Sequence, residues 1–301
     1  MTVSSLPPHV VLSARAHERH GLHRHDDDWL AARWAAPDTL VLVVRGNRLR
    51  AVDGRVTWVS PAQAPEGERV LLGEYDGRAR FAVLVDDRET GDDWVGLRAV
   101  VATLVDDEVP ASVVLHAIGL AEWRWSTRYC PRCGTTLEPR AAGHELHCPG
   151  CGRPQFPRTD AAVIMAVVHG ESGSPEERLL LARGAGWPEG RYSTLAGFLE
   201  PGETLEDAVR REVAEETGVV VGEVSYYGNQ PWPLPASLML GFTARAETDE
   251  IEIDPKEITH ARWFTRAQLK AAFDDGTLLR PTGVSISRSL VEHWYGEPLG
   301  D

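Results

Sequence analysis

Positive charge is in short supply. The 301 residues carry 31 Lys and Arg against 45 Asp and Glu, a formal charge of −14. The broad basic footprint of a general nucleic-acid binder is therefore absent. An anionic substrate would be repelled by the average field, so its site must supply local cations. Cysteine is equally scarce: there are four, all between residues 130 and 151, which excludes a disulfide framework spread along the chain. No apolar run approaches the length of a membrane span. The opening Met-Thr-Val-Ser-Ser-Leu-Pro-Pro has neither the basic start nor the apolar core of a secretory signal. A soluble, cytoplasmic protein with no membrane partner is expected.

What is present is ordinary globular composition, 43% hydrophobic and 25% charged, in a chain long enough for two domains. One segment stands out. Residues 197–219 place Pro201-Gly202, then Glu203, then a predicted helix with Glu212, Glu215 and Glu216. The spacing i, i+3, i+4 puts the three carboxylates on one helical face. Leu205, Ala208 and Val209 fall on the same side as Glu212, so that carboxylate lies in or beside the apolar stripe. Glu206, Asp207, Arg210, Ala214 and Thr217 fall opposite, as the polar face. An unpaired carboxylate in an apolar stripe is costly. Crowded carboxylates repel unless a cation sits between them. The pattern therefore points to a metal site and not to a solvated acidic helix. Arg211 can pair with Glu215 one turn on, and Gly218 suits a left-handed cap.

The cysteines form two knuckles, Cys130-Pro-Arg-Cys133-Gly and Cys148-Pro-Gly-Cys151-Gly. This spacing suits tetrahedral thiolate coordination of zinc, and a cytosolic setting disfavours the alternative of two disulfides. Four thiolates leave no open position, so the zinc is structural. His144 and His147 read as bystanders, and the histidines at 17, 20, 23 and 25 read as a solvated turn.

Three regions follow: a β-rich amino-terminal domain over 1–127, a zinc module over 128–157 and a catalytic domain over 158–301. In the first, residues 39–44, 55–59 and 80–85 read as strands and 111–128 as a helix. In the third, strands are expected at 161–168, 178–183, 222–228, 237–246 and 260–264, with helices at 266–273 and 284–295. Mixed strands and helices imply an α/β or α+β sandwich. Three prolines in Asn229-Gln-Pro-Trp-Pro-Leu-Pro-Ala-Ser237 predict a rigid loop that cannot be a central strand. Such a loop either poses Gln230 and Trp232 for a ligand or is a plain turn with a buried tryptophan.

Residues 197–219 resemble the Nudix box, GX5EX7REUXEEXGU with U aliphatic. Gly197, Glu203, Arg211, Glu212, Val213, Glu215, Glu216, Gly218 and Val219 match every fixed position. The proline loop resembles the SQPWPFPxS signature of the NADH pyrophosphatase branch of that superfamily, with Asn229 for the leading serine and Leu234 for phenylalanine. A zinc ribbon directly before the Nudix domain belongs to the same branch. The resemblance spans roughly residues 128–301, and for the amino-terminal part it implies a degenerate Nudix copy.

The resemblance implies a Nudix α/β/α sandwich that splits the pyrophosphate of NADH or NAD into nicotinamide mononucleotide and AMP. It also allows removal of an NAD cap from the 5′ end of RNA, or a non-catalytic nucleotide-binding regulator, which usually lacks box glutamates. It implies magnesium or manganese held by Glu212, Glu215, Glu216, Glu257 and the carbonyl of Ala196, with Glu216, or next Glu215, as the base. Arg211 would orient Glu215, and Glu203 would support the loop. Substrate contacts are implied for Phe156, for Gln230, Pro231, Trp232, Pro233, Leu234, Pro235, Ala236 and Ser237, and for Ser287. A homodimer is implied by family analogy.

Overall fold

The apolar runs of the sequence pair into two large sheets, and a third, small sheet surrounds the cysteines. The computed structural model describes residues 7–86, 93–105, 107, 109–281 and 283–300. Contacts group the chain into two units. One comprises residues 1–11, 160–230 and 238–301, the other residues 12–159 and 231–237.

The second of these units begins with helix α2 (Asp27–Ala35), after α1 (Pro8–Val11) of the other unit. A seven-stranded sheet follows: β1 (Leu40–Arg45), β2 (Arg48–Val52), β3 (Arg55–Val56), β4 (Trp58–Val59), β5 (Glu68–Tyr75), β6 (Arg78–Val85) and β7 (Trp94–Gly96). The strands run in the order β3-β2-β1-β6-β5, with β4 on β1 and β7 on β2. The central pair, β1 and β6, is parallel, with Val41 opposite Phe81. Helix α3 (Leu97–Val100) and the long α4 (Ala111–Ser126) close the layer, and α4 buries Val113, Val114, Ala117, Ile118 and Ala121. Helix α2 and strands β2, β5 and β7 were not expected. Glycine and charge interrupt the apolar pattern of β5. Helix α2 has an acidic first turn capped by Asp26, whose carboxylate accepts from the Trp29 amide. Its Trp29 and Trp34 pack on Val41, Leu71 and Phe81.

The histidine tract is not simply solvated. His20 and His23 pack on the Trp29 ring at 5.0 and 4.7 Å. His17 lies 3.1 Å from Ser112 Oγ and 3.4 Å from His116 Nδ1. Aromatic rings absorb imidazoles whose polar neighbours suggested water.

Strands β8 (Glu138–Arg140), β9 (Glu145–His147) and β10 (Pro154–Gln155) make the small antiparallel sheet. His144 is buried and lies 2.7 Å from the Leu71 carbonyl of β5. Gly143 approaches Val70 so closely that a Cβ would lie 2.6 Å from its Cγ2. Residues 128–157 fall in the same compact unit as the β-rich region.

The other unit is a six-stranded sheet: β11 (Asp160–His169), β12 (Arg178–Gly184), β13 (Leu195–Phe198), β14 (Val221–Trp232), β15 (Ser237–Ala246) and β16 (Ile258–Thr265). The order is β14-β15-β11-β12-β16, with β13 on β11. β11 is buried on both faces, as its unbroken apolar run requires. Val163, Met165 and Val167 face one core with Val209 and Val213 of helix α5 (Leu205–Thr217). Ile164, Ala166 and Val168 face the other, with Leu269 of α6 (Arg266–Asp274) and Leu290 of α7 (Ile286–Tyr295). The sheet thus lies between helices, the α/β/α sandwich that the box implied. Helix α1 packs on α7, where the His9 amide donates to Ser289 Oγ at 3.0 Å.

The proline segment departs from expectation. Strand β14 continues through Asn229, Gln230, Pro231 and Trp232, and only residues 233–236 turn. β14 is the sheet's edge strand, where the amide that Pro231 lacks is not needed. No described helix is long and apolar enough to cross a membrane.

Candidate active site

The site is built where β13 hands over to α5. Thr204 caps the helix, its hydroxyl accepting from the Asp207 amide at 3.2 Å, and Gly218 ends it at φ +71°. Gly197, paired with Val163 of β11, leaves the space that the Glu212 carboxyl fills. A Cβ at Gly197 would lie 1.8 Å from Glu212 Cδ. This explains a glycine inside a strand.

Arg211 is the hub. Its guanidinium donates to Glu203 at 2.8 and 2.9 Å, to Glu212 Oε1 at 2.8 Å, to Glu215 Oε2 at 3.0 Å and to the Phe198 carbonyl at 2.9 Å. The expected Glu215 pair is present as one contact of five. The Glu203 carboxylate also accepts the Glu200 amide at 3.1 Å, so it ties the turn to the helix. Hydrogen bonds from Arg211 hold its carboxyl down at about 2.

The three box glutamates occupy different environments. Glu212 and Glu216 are buried, whereas the Glu215 side chain is 58% exposed. Burial pushes the Glu216 carboxyl up to about 8, helped by the charges of Glu212, Glu257 and Glu215. Burial also raises Glu212, against the pull of Arg211. Thr217, expected on the polar face, is buried, and its hydroxyl donates to the Val213 carbonyl at 2.7 Å. The helix's last turn is covered by residues 252–254: the Glu252 amide donates to Thr217 O at 2.8 Å and the Asp254 amide to Glu216 O at 3.3 Å. That covering segment brings Glu257 to the box, with the Ala185 amide donating to its carbonyl at 2.9 Å.

Glu216 Oε2 is buried without a hydrogen-bond partner. A buried carboxylate oxygen without a hydrogen-bond partner, within electrostatic reach of Glu212, Glu257 and Glu215, fits a hard divalent cation such as magnesium or manganese. Ala196, opposite Ile164 in β13, is half-buried beside Gly197. Among the described residues, Glu212 and Glu215 turn toward Arg211 and do not converge with Glu216 on one point.

Phe198 escaped the sequence reading, as did the partners Ser193 and Thr194 of the expected Ser287. Phe198 is 58% exposed directly beside Gly197 and presents a ring for stacking. The Ser287 hydroxyl sits 2.8 Å from Ser193 Oγ and accepts from Thr194 Oγ1 at 2.9 Å, a cluster that three short polar residues on β13's approach and α7 announce only weakly. Gln230 is buried, with its amide spent on the Val284 carbonyl and the Ile286 amide, so it fixes the start of α7.

The remaining sequence candidates belong to the other unit. Phe156 is 64% exposed. The turn carrying Pro233, Leu234, Pro235 and Ala236 lies between Trp232 and Ser237. The Arg98 guanidinium lies over the Trp232 ring at 5.3 Å, a cation–π pair that spacing could not disclose. Pro233 packs near Gly119 of α4. The sulfurs of Cys130, Cys133, Cys148 and Cys151 all lie within 4.8 Å of one another, and none is in a disulfide. Gly134 and Gly152, at φ +74° and +72°, return their amides to the carbonyls of Cys130 and Cys148. Four convergent thiols on two such turns fit a closed tetrahedral zinc.

Comparison with known proteins agrees with this geometry. Residues 158–281 match the NUDIX domain, and residues 126–156 match the NADH pyrophosphatase zinc ribbon domain. The chain is 36% identical over 301 residues to an NAD-capped RNA hydrolase NudC of Mycobacterium bovis, covering 94% of each chain. A Mycobacterium tuberculosis protein of the same name is likewise 36% identical, again covering 94% of each. The NAD-capped RNA hydrolase NUDT12 of Homo sapiens is 41% identical over 198 residues, 62% of this chain and 42% of that one. With box, ribbon and full-length likeness in agreement, the chain belongs to the NADH pyrophosphatase (NudC-like) family of Nudix hydrolases.

Proposed function

We propose that the protein hydrolyses the pyrophosphate of NADH or NAD to nicotinamide mononucleotide and AMP, and removes an NAD cap from the 5′ end of RNA by the same chemistry. The observation that carries this reading is Glu216, buried with a free carboxylate oxygen amid Glu212, Glu215 and Glu257. The likeness to NAD-capped RNA hydrolases favours the capped-RNA substrate.

When bound, magnesium or manganese supplies positive charge against the phosphates and acidifies a water for attack on phosphorus. Glu212, Glu215, Glu216, Glu257 and the Ala196 carbonyl are the proposed ligands. Glu216, whose carboxylate has a buried oxygen without a hydrogen-bond partner, is the proposed base that takes the water's proton. Glu215 is second, because Arg211 already occupies one of its oxygens. Arg211 orients Glu212 and Glu215, and Glu203 anchors Arg211 from the turn. Phe198 and Ser287 are proposed to hold the dinucleotide; for Phe156 and for Trp232 with its neighbouring prolines, substrate contact is proposed from the family resemblance alone. Zinc fixes the ribbon. A cytoplasmic location and a homodimer are proposed from family resemblance, and the dimer is checked by sedimentation.

The test is a panel of NADH, NAD, ADP-ribose and NAD-capped RNA with either metal, products identified by mass. Metal-dependent release of AMP from NADH, or of 5′-phosphorylated RNA from the capped transcript, supports the reading. Absence of any such product would return the chain to a nucleotide-binding regulator.

A further inference from the structure

On the sheet face opposite α5, a cavity of about 310 Å³ opens between β12, β16 and the loop before β13. The two-residue period of β16 turns His260, Arg262 and Phe264 toward it, while Trp263 joins the core under α5. Arg183, Tyr192 and Glu189 complete the polar lining. None of these residues belongs to the carboxylate site.

Two guanidiniums meet here without a carboxylate partner among the described residues. Arg183 uses Nε on Thr259 Oγ1 at 3.1 Å, which leaves both terminal nitrogens to the cavity. Arg262 lies over the Phe264 ring at 4.8 Å and makes no ion pair among the described residues. Two arginines outnumber the one carboxylate of the lining, Glu189, so the cavity favours an anion even in a chain of charge −14, and the guanidinium fork matches phosphate oxygens in pairs. The cavity is larger than a bare phosphate needs and falls in the range of small-molecule pockets. Its other walls suit a nucleoside. Tyr192 Oη and His260 Nδ1, 2.7 Å apart, give an aromatic corner. Glu189 can accept the two hydroxyls of a ribose. The same loop carries Trp187, 39% exposed and backed by Arg191 at 4.8 Å, as a surface for a base.

We propose that this cavity is a second nucleotide site, which takes the phosphate of a ribonucleotide between Arg183 and Arg262. The phosphate comes either from a free mononucleotide or from the chain of a bound RNA. The proposal does not rest on the hydrolytic reading, and its failure leaves turnover of NADH untouched.

The experiment titrates the full-length protein, in EDTA, with AMP and with a 5′-phosphorylated RNA trinucleotide, by calorimetry. Binding of at least one is expected, weakened tenfold or more in Arg183→Gln/Arg262→Gln and unchanged in Glu216→Gln. Arg262→Gln alone, at an exposed position, serves if the double variant melts early. Turnover identifies the source of the phosphate. A tenfold loss of kcat/KM on NAD-capped RNA with NADH unaffected assigns the site to the RNA chain. Unchanged turnover on both, with AMP binding lost, assigns it to a free mononucleotide. Wild-type protein that binds neither probe overturns the proposal, as does a folded double variant that binds like wild type. Equal loss of turnover on NADH and RNA also overturns it, because the pocket would then be part of the catalytic site.

Discussion

Gly197→Ala adds one methyl group at the tightest point of the molecule. The new Cβ would lie 1.8 Å from Glu212 Cδ and 2.0 and 2.1 Å from its oxygens. Carbon atoms normally settle at about 3.5–4 Å, so the Glu212 carboxyl must retreat by more than about 1 Å. It has little room, since its side chain is 12% exposed and one oxygen is held by Arg211. Overpacking of this kind costs about 1–3 kcal/mol. A displacement of about 1 Å in a catalytic constellation costs on the order of 100-fold in rate. Melting temperature, metal affinity by calorimetry and kcat on NADH should therefore all fall together in the variant. The expected pattern is a modest loss of stability, a rise in the metal dissociation constant and a kcat lower by about 100-fold. A folded Gly197→Ala protein with wild-type kcat and metal affinity would refute the claim that Glu212 needs that space for metal chemistry.

Glu216→Gln should lower kcat by orders of magnitude with the fold intact, and near-normal turnover removes Glu216 from the mechanism. Arg211→Lys loses the fork that joins Glu203, Glu212, Glu215 and the Phe198 carbonyl. Its kcat should fall at least tenfold, and retained kcat would show that the hub is only structural. Because Glu216 in the metal-free fold titrates near 8 instead of 4.5, its proton adds stability that is complete below 4.5 and disappears as pH rises through 8. Desolvation holds half-buried His17 and His116 and buried His144 down, so their contribution has the opposite sign and is lost only below about 6.5. The clean window is pH 6.5–8, where EDTA-treated protein should lose about 1.5 kcal/mol. Glu216→Gln should flatten that slope, and denaturant melts that keep it would locate the proton elsewhere. Cys133→Ser should release zinc and lower the melting temperature without removing the carboxylate site's metal. Unchanged stability after stoichiometric zinc loss contradicts a structural ion.

The box was legible because helical spacing fixes geometry within one element. Glu212 and Glu216 take the buried positions that the 100° period dictates, and Gly218 ends the helix as its left-handed cap. Thr217 was misread because the segment around Glu252 covers the helix end, a tertiary contact with no local signal. Likewise β5 and α2 were missed where burial against Trp29 and Trp34, and not periodicity, decides the structure. Pro231 suggested a loop because proline breaks central strands, yet at a sheet edge it does not. The cysteine spacing carried its own meaning, whereas the packing of His144 on Leu71 needed the folded chain. The cavity between Arg183 and Arg262 was invisible, since it depends on register across β12 and β16, which sets Leu181 opposite Arg262 and Arg183 opposite His260.

The catalytic unit is discontinuous in sequence. Helix α1 closes over Tyr227, Gly228 and Ser289, with the His9 ring 5.2 Å from that of Tyr227. The α7 residues on which α1 packs are synthesised some 275 residues later. A fragment cut at residue 158 would therefore expose a groove that the intact chain fills with its own first turn, and would favour clumping over turnover.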